Sequence, residues 1–505
     1  QPRKPSGPGA AHHAPTAAPT FAPPAPAAAD NSIAVLPFAN MSADAENEYF
    51  SDGMTEEIIN ALVQVTGLHV AARTSVFALK GKGHDLRTIA GKLNVRTVLE
   101  GSVRKAGNRI RVTAQLINAA DGYHLWSGRF DRELADVFAI QDEIALNIVG
   151  KLRINLLGEE KKLILKRHTA NLEAHSFYLR GRHFFRQATI GGMQKALEAF
   201  QHAIESDPNY APVFAALAYT YVWVTAAWLA LPARETMPKA RAAARQALAL
   251  DPTLPEAHVS LALIATFYDW DLPGAERALK EALRLNPNYA EAHGWYTVPL
   301  IWLDTRFAEA LDHGRRAVDL NPVDPWAWTQ LFWTHYFSRD FEGAITQARH
   351  LINLEPLWGI GHYNLGFALA TAGRAAEALA SINRAIELDG RAVHCIAWLG
   401  LSNAIAGKNA ESRACLAELE THEREGKSVS AWKLVVHAGL GDSDAVMRCL
   451  NEAFDERSAS LVFHLTIPLV DSLRGDPRFL DLLRRMGLER LATYRPDPAW
   501  KPVAE

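Results

Sequence analysis

The sequence predicts a chain in two parts. An α+β amino-terminal domain, a small mixed sheet with helices, is followed by an all-α superhelix, an α-solenoid of repeated helix pairs. Three observations carry this expectation. Short apolar or alternating runs with strand periodicity are confined to residues 33–130. From about residue 171 the pattern is helix after helix, rich in Ala and Leu. Within that second part a turn signal returns at intervals close to 34 residues, and a fixed period of that length marks a stacked repeat.

Residues 1–31 are rich in Pro and Ala with almost no large apolar side chains, the composition of a disordered linker. A linker at the start is expected to have had something before it, and no signal peptide is visible there. The α+β domain is expected over residues 32–160. Ile33-Ala34-Val35-Leu36-Pro37-Phe38 reads as a buried strand. Met54, Ile58, Leu62 and Val65 stand at helical spacing within Tyr49–Val65, with Ser51 or Asp52 as the expected cap. Leu68–Arg73 returns to strand, and Asp85–Leu93 is a short amphipathic helix. Thr97–Arg104 and Arg109–Leu116 form a hairpin about Ala106-Gly107-Asn108, His124–Phe130 adds a third strand, and Val137–Leu157 closes the unit as a helix. The order β-α-β-α-β-β-β-α is that of helices packed on a small sheet.

The repeats announce themselves by punctuation: Asp207-Pro208, Asp251-Pro252, Asn286-Pro287, Asn321-Pro322, Glu355-Pro356 and Asp389-Gly390, spaced 44, 35, 35, 34 and 34 residues apart. The long first interval fits an insertion around Leu231–Arg234. Twelve residues before each signal stands Ala (196, 240, 275, 310, 344 and 378), and five before stand Ala203, Ala247, Ala282, Ala317, Leu351 and Ala385. Small side chains are needed where the second helix of each pair approaches its neighbours. This register is that of the tetratricopeptide repeat (TPR), with about six to seven helix pairs expected over 171–425, an atypical terminal repeat and capping helix over 426–490, and a tail over 491–505. It also absorbs the charge-free run Pro208–Ala233, long enough to pass for a membrane span, into a repeat helix pair.

Residues 33–157 resemble the TolB-amino-terminal-like domain, related to the FlgO flagellar outer-membrane family. The matching stretches are Ile33–Phe38, Tyr49–Glu56, Val98–Arg104, Ile110–Ile117, His124–Trp126 and Phe138–Ile144. That domain followed by TPRs and a tail like Leu473–Leu488 resembles the carboxy-terminal sensor half of bacterial membrane-anchored winged-helix regulators, serine/threonine kinases and adenylate cyclases. The resemblance implies a sensory or regulatory role on the periplasmic side of the inner membrane, with a cytoplasmic place as the alternative. Two other readings stay open: the regulatory half of a kinase or cyclase whose catalytic part is missing here, and a free-standing periplasmic assembly scaffold.

Composition excludes some functions and leaves others. With 53 Lys plus Arg against 56 Asp plus Glu, the net charge of −3 provides no field to gather nucleic acid or an anionic membrane. No HExxH, GxSxG or GxGxxG occurs, so no enzyme activity, cofactor or metal is expected. Gly81-Lys82-Gly83 lacks the spacing of a phosphate loop and reads as a surface turn. Cys395, Cys415 and Cys449 form no CxxC pair and are expected to be small buried side chains. His258, His293 and His362 share one repeat position, one per repeat, which separates them too far to share a metal. Arg104, Lys105, Arg109 and Arg111 make a basic hairpin with no aromatic platform, expected to be solvated.

The expected binding surface is the concave face, lined in TPR folds by positions two, five, nine and twelve of each first helix. Those positions yield Tyr219, Trp326, Trp333, Tyr336, Tyr363 and Phe367 as candidate peptide-groove residues. The lysine and asparagine that clamp a peptide carboxylate in chaperone-binding TPRs are missing from them. The expected partner is therefore a peptide bound other than by its carboxylate, or an apolar protein surface. Replacing Trp333 and Tyr363 together by Ala is expected to abolish capture without altering the melting temperature.

Overall fold

The computed structural model describes residues 31–44, 47–63, 65–81, 83, 85–154, 161, 167–186, 190–225, 231–304 and 306–494. Residues 1–30 of the expected linker, residues 495–505 of the tail and Lys82 lie outside the described residues.

The amino-terminal domain runs β1 (Ser32–Val35), β2 (Ala39–Asn40), α1 (Glu48–Val63), β3 (His69–Val70), α2 (Arg73–Ala78), α3 (Leu86–Leu93), β4 (Thr97–Ala106), β5 (Arg109–Asn118), β6 (His124–Glu133) and α4 (Val137–Lys151). One sheet forms in the order β3-β1-β4-β5-β6, with β2 beside β4. β1 lies parallel to both β3 and β4, so every one of its side chains is covered, which explains its unbroken apolar run. β5 alternates instead: Ile110, Val112, Ala114 and Leu116 are buried, while Arg109 and Arg111 face water. Those two arginines reach Asp131 on β6 at 3.2 and 2.5 Å, so half of the basic hairpin is paired within the sheet.

Two expectations are corrected here. α1 begins at Glu48, which places Ser51 and Asp52 inside the helix rather than at its cap. The run Leu68–Arg73 contributes only two strand residues and turns at Arg73 into α2. α3 does start as expected, with the Asp85 carboxylate accepting from the Thr88 amide.

The second part is an α-solenoid of helix pairs: α5 (Leu172–Arg186) with α6 (Ile190–Ser206), α7 (Ala211–Trp223) with α8 (Ala233–Leu250), α9 (Pro255–Ile264) with α10 (Leu272–Leu285), and α11 (Ala290–Asp304) with α12 (Phe307–Leu320). There follow α13 (Pro325–Phe337) with α14 (Phe341–Leu354), α15 (Gly359–Thr371) with α16 (Ala375–Asp389), α17 (Val393–Ile405) with α18 (Asn409–Arg424), and α19 (Ser430–Gly439) with α20 (Ser443–Glu456). The six Ala residues twelve before each turn are all wholly buried, as are all six residues five before. The bulky residue six after each turn has a second use. His293 Nε2 and His362 Nε2 lie 2.9 and 3.2 Å from the carbonyls of Pro287 and Pro356, and Trp328 Nε1 donates to Pro322 at 2.7 Å. Each of these rings clasps its own turn, which accounts for histidine there without a metal.

After α20 the chain folds back. α21 (Leu461–His464), a 3₁₀ turn (Pro468–Leu473), α22 (Pro477–Met486) and a last 3₁₀ turn (Glu489–Thr493) close over the array. Phe463 sets its ring 5.0 Å from Trp333 and 6.0 Å from Phe367. Arg339 donates to the Thr466 carbonyl and pairs with Asp471 at 2.9 Å, and the Tyr494 hydroxyl donates to the Phe337 carbonyl at 2.8 Å. Among the described residues no helix is long and apolar enough to cross a membrane.

Candidate functional site

The α+β domain does not stand apart from the repeats. Gly53 leaves room on α1 for Leu179 of α5, where a Cβ would sit 2.2 Å from a leucine methyl. Beside it Asp52 and Glu56, nearly inaccessible, meet a set of cations: Arg186 lies 3.1 Å from Asp52 and also bonds Glu56, Arg73 reaches Glu56 at 2.9 Å, and Lys80 bonds Asp52. Burial opposes ionisation of Asp52, but the His183 hydrogen bond, Arg186 and Lys80 together hold its carboxyl below the usual range. At the other end Ser75 of α2 donates to Asn321 in the turn before α13. The domain thus bridges the concave face from the first helix pair to the fifth.

Between these two anchorages lies a cavity of about 1480 Å³, lined by both parts of the chain. Its roof includes Glu57 and Arg73; its floor comes from the first helices of successive pairs. One wall is aromatic. Tyr219 and Trp223 have ring centroids 6.1 Å apart, Trp223 lies 5.8 Å from Trp295 and 4.7 Å from Trp326, and Trp326 lies 5.0 Å from Trp358. The other wall carries carboxyls among cations that include Arg73, Arg182 and Arg316. Burial pushes the Glu57 carboxyl up to about 7 and raises those of Glu256 and Glu291. Glu256 Oε2 is buried with no hydrogen-bond partner among the described residues, and so is Oε1 of Gln330, a residue only 7% exposed. His175 sits behind this wall, its ring nitrogen 3.1 Å from the Tyr210 hydroxyl and its pKa pushed down to about 4 by burial.

The expected groove residues divide between this cavity and the core. Tyr219 and Trp326 line the cavity. Trp333, Tyr336, Tyr363 and Phe367 do not. Tyr336 and Phe367 are wholly buried, Tyr363 is 6% exposed, and Trp333 is packed beneath Phe463. The closing segment after α20 occupies that half of the concave face, which corrects the reading of these four as a free groove. The residues missed are Trp223, Trp295, Gln330, Glu256 and Glu291. The last two were readable. Counting four past each turn signal, from the same origin as the buried Ala positions, gives Pro212, Glu256, Glu291 and Trp326, one stacked row of position-two residues along the floor. Among the described residues no group of three or more His, Cys, Asp or Glu is placed to hold a metal.

Residues 29–147 match the second domain of the HilA/YgeH-like transcriptional regulators, and residues 361–391 match the tetratricopeptide repeat. A Rhizobium meliloti protein named Putative adenylate cyclase 3 is 41% identical over 243 residues, 48% of this chain and 41% of that one. The transcriptional regulator HilA of Salmonella paratyphi A is 25% identical over 250 residues, 49% of this chain and 43% of that one. The chain therefore spans less than half the length of either relative. Among solved structures, a tetratricopeptide repeat protein from Parabacteroides merdae is 13% identical with a TM-score of 0.38, covering 53% of this chain and 99% of that one.

Proposed function

We propose that this chain is a non-catalytic sensor and interaction module of a bacterial signalling protein, and that it holds a partner peptide between the α+β domain and the amino-terminal half of the concave repeat face. The observation that carries the reading is a single cavity lined by both domains. Anything bound there touches both at once, so binding energy is available to bias one domain against the other. Its volume exceeds the ~300–1,000 Å³ usual for small-molecule pockets and suits a stretch of chain. The match of residues 29–147 to a domain of transcriptional regulators, and the partial identity of the chain to a cyclase-named and a regulator-named protein, support a regulatory setting. The resemblance to TolB and FlgO relatives, and with it a periplasmic location, belongs to the same proposal; an alkaline phosphatase fusion, active only outside the cytoplasm, tests the location.

The functional test is capture from bacterial envelope extract with the full chain as bait and Trp326→Ala as control. A protein retained by the wild type and released by the variant supports the site. Equal retention by both overturns the placement of the site in the cavity. A second reading, the regulatory half of a cyclase, is favoured by the 41% identity to the cyclase-named relative. It is tested by joining this chain to a cyclase catalytic domain and asking whether substitutions in the cavity alter turnover.

A further inference from the structure

Resting on the peptide-binding reading above, we propose that the cavity selects a peptide carrying a lysine or arginine side chain, whose cation sits against Glu256 and Glu291 while its aliphatic stem lies on the wall of Trp223, Trp295 and Trp326.

Two residues that line the cavity each keep one buried oxygen without a donor, Glu256 on its carboxyl and Gln330 on its amide. Both are acceptors. A buried acceptor without a donor is costly, and more so when charged, so the group that completes the site is a donor. An arginine or lysine head supplies several donors and a positive charge at once.

The carboxylates have an ordinary structural role to be weighed. Glu256 and Glu291 stand in the first turns of α9 and α11, where an acidic residue favours the positive end of the helix dipole. Each also accepts from its own backbone amide. That role uses one oxygen and needs no burial, whereas Glu256 keeps its other oxygen buried and unpartnered. Glu291 adds like charge nearby, and burial raises both carboxyls despite the dipole. Arg73 pairs with Glu56 at 2.9 Å and also favours the charged forms of Glu256 and Glu291 across the cavity, yet Glu256 Oε2 is left without a donor.

The aromatic wall fits the same occupant. Trp223, Trp295 and Trp326 form contiguous, mutually tilted rings whose faces and edges line the cavity rather than stack on one another. Indole faces attract cations and cover aliphatic stems. The repeat register spaces the carboxylates along the floor like rungs, one per repeat, which suits an extended chain laid across successive first helices.

The test is titration of the full chain, followed by tryptophan fluorescence, with capped octapeptides that carry one central arginine in randomised uncharged surroundings. A matched set carries citrulline, which keeps the shape and removes the charge. Arginine peptides binding at least tenfold tighter than citrulline ones, with that preference lost in Glu256→Gln plus Glu291→Gln at unchanged melting temperature, is the expected result. Equal binding of the two sets overturns the charge selection and leaves the peptide reading standing. Binding of N-acetylargininamide as tight as that of the best octapeptide overturns the peptide as occupant and makes the cavity a small-molecule site. Failure of every peptide and of the amide to bind the wild type overturns this inference and the peptide reading together.

Discussion

Glu57 shows how a single side chain couples the cavity to solvent conditions. Burial lifts its carboxyl from the ordinary 4.5 to about 7, so the folded state binds a proton that the unfolded chain releases. The stability that goes with this proton is complete below about pH 4.5 and is lost as the pH rises through 7. Glu57→Gln, permanently neutral, is therefore expected to be more stable than the wild type at pH 8 by roughly 1–3 kcal/mol and to match it at pH 4.5. Melting curves across that range read the difference; parallel curves at all pH values would contradict a buried, protonated Glu57. The two tryptophan-face residues Trp333 and Tyr363 behave in the opposite way from a free groove. Tyr363 is 6% exposed, and Trp333, half-buried, packs against Phe337, Phe367 and Phe463. Replacing both by Ala is expected to lower stability by roughly 3–5 kcal/mol, since buried aromatics leave cavities behind.

At the scale of elements, what can be read from local pattern and what cannot separate along a physical line. The strands β1, β4, β5 and β6 follow from alternation and apolar runs, and the helix pairs follow from Ala at fixed distances before each turn. Both are rules about neighbours a few residues or one repeat away. α2 escaped such reading because six residues are too few to show a helical period. The fate of the groove aromatics escaped for a different reason. Whether position nine of a repeat is a ligand contact or core depends on what lies over it, and for Trp333 that is Phe463, 130 residues further along. No 34-residue period encodes a fold-back of that length. The row of Glu256, Glu291 and Trp326 was legible by the same count that found the aromatics, but only the enclosing roof from the α+β domain makes it a site. The closing segment should be separable from the rest. Phe463→Ala removes one ring from a cluster of five, and is expected to loosen α21 and expose Trp333. Quenching of tryptophan fluorescence by acrylamide should rise, while the far-ultraviolet circular dichroism of the array stays unchanged.

For the whole molecule the decisive contact is the charged seam between α1 and α5. Asp52 and Glu56 keep 5% and 4% of their side-chain surface, and Arg186 reaches both while its guanidinium lies 4.4 Å from the centre of the Phe77 ring. Taken alone, a buried ion pair is weak evidence of stability, because desolvation offsets much of the attraction. Removing one partner is different, since it strands the other. Arg186→Met keeps the stem over Phe77 and deletes the charge, leaving two carboxylates facing each other with Lys80, His183, Arg73 and Arg182 as the remaining partners. The cost is expected near 3 kcal/mol, the low end for such a break. The seam is apolar as well as ionic, for the buried cluster of the sheet domain continues into the first helix pairs through Tyr178, Leu179, Phe200 and Val213, while the later pairs share a second cluster. Scanning calorimetry is therefore expected to show the α+β domain and the first helix pairs unfolding together in both proteins, at a lower temperature in Arg186→Met. The same variant loosens the roof of the cavity against its floor, so ligand capture should weaken even with Glu256, Glu291 and Trp326 intact. A lower melting temperature with undiminished capture would mean that the repeats bind by themselves; an unchanged melting temperature would mean that the apolar side of the seam and the anchorage of Ser75 on Asn321, not the ion pairs, hold the two parts as a unit.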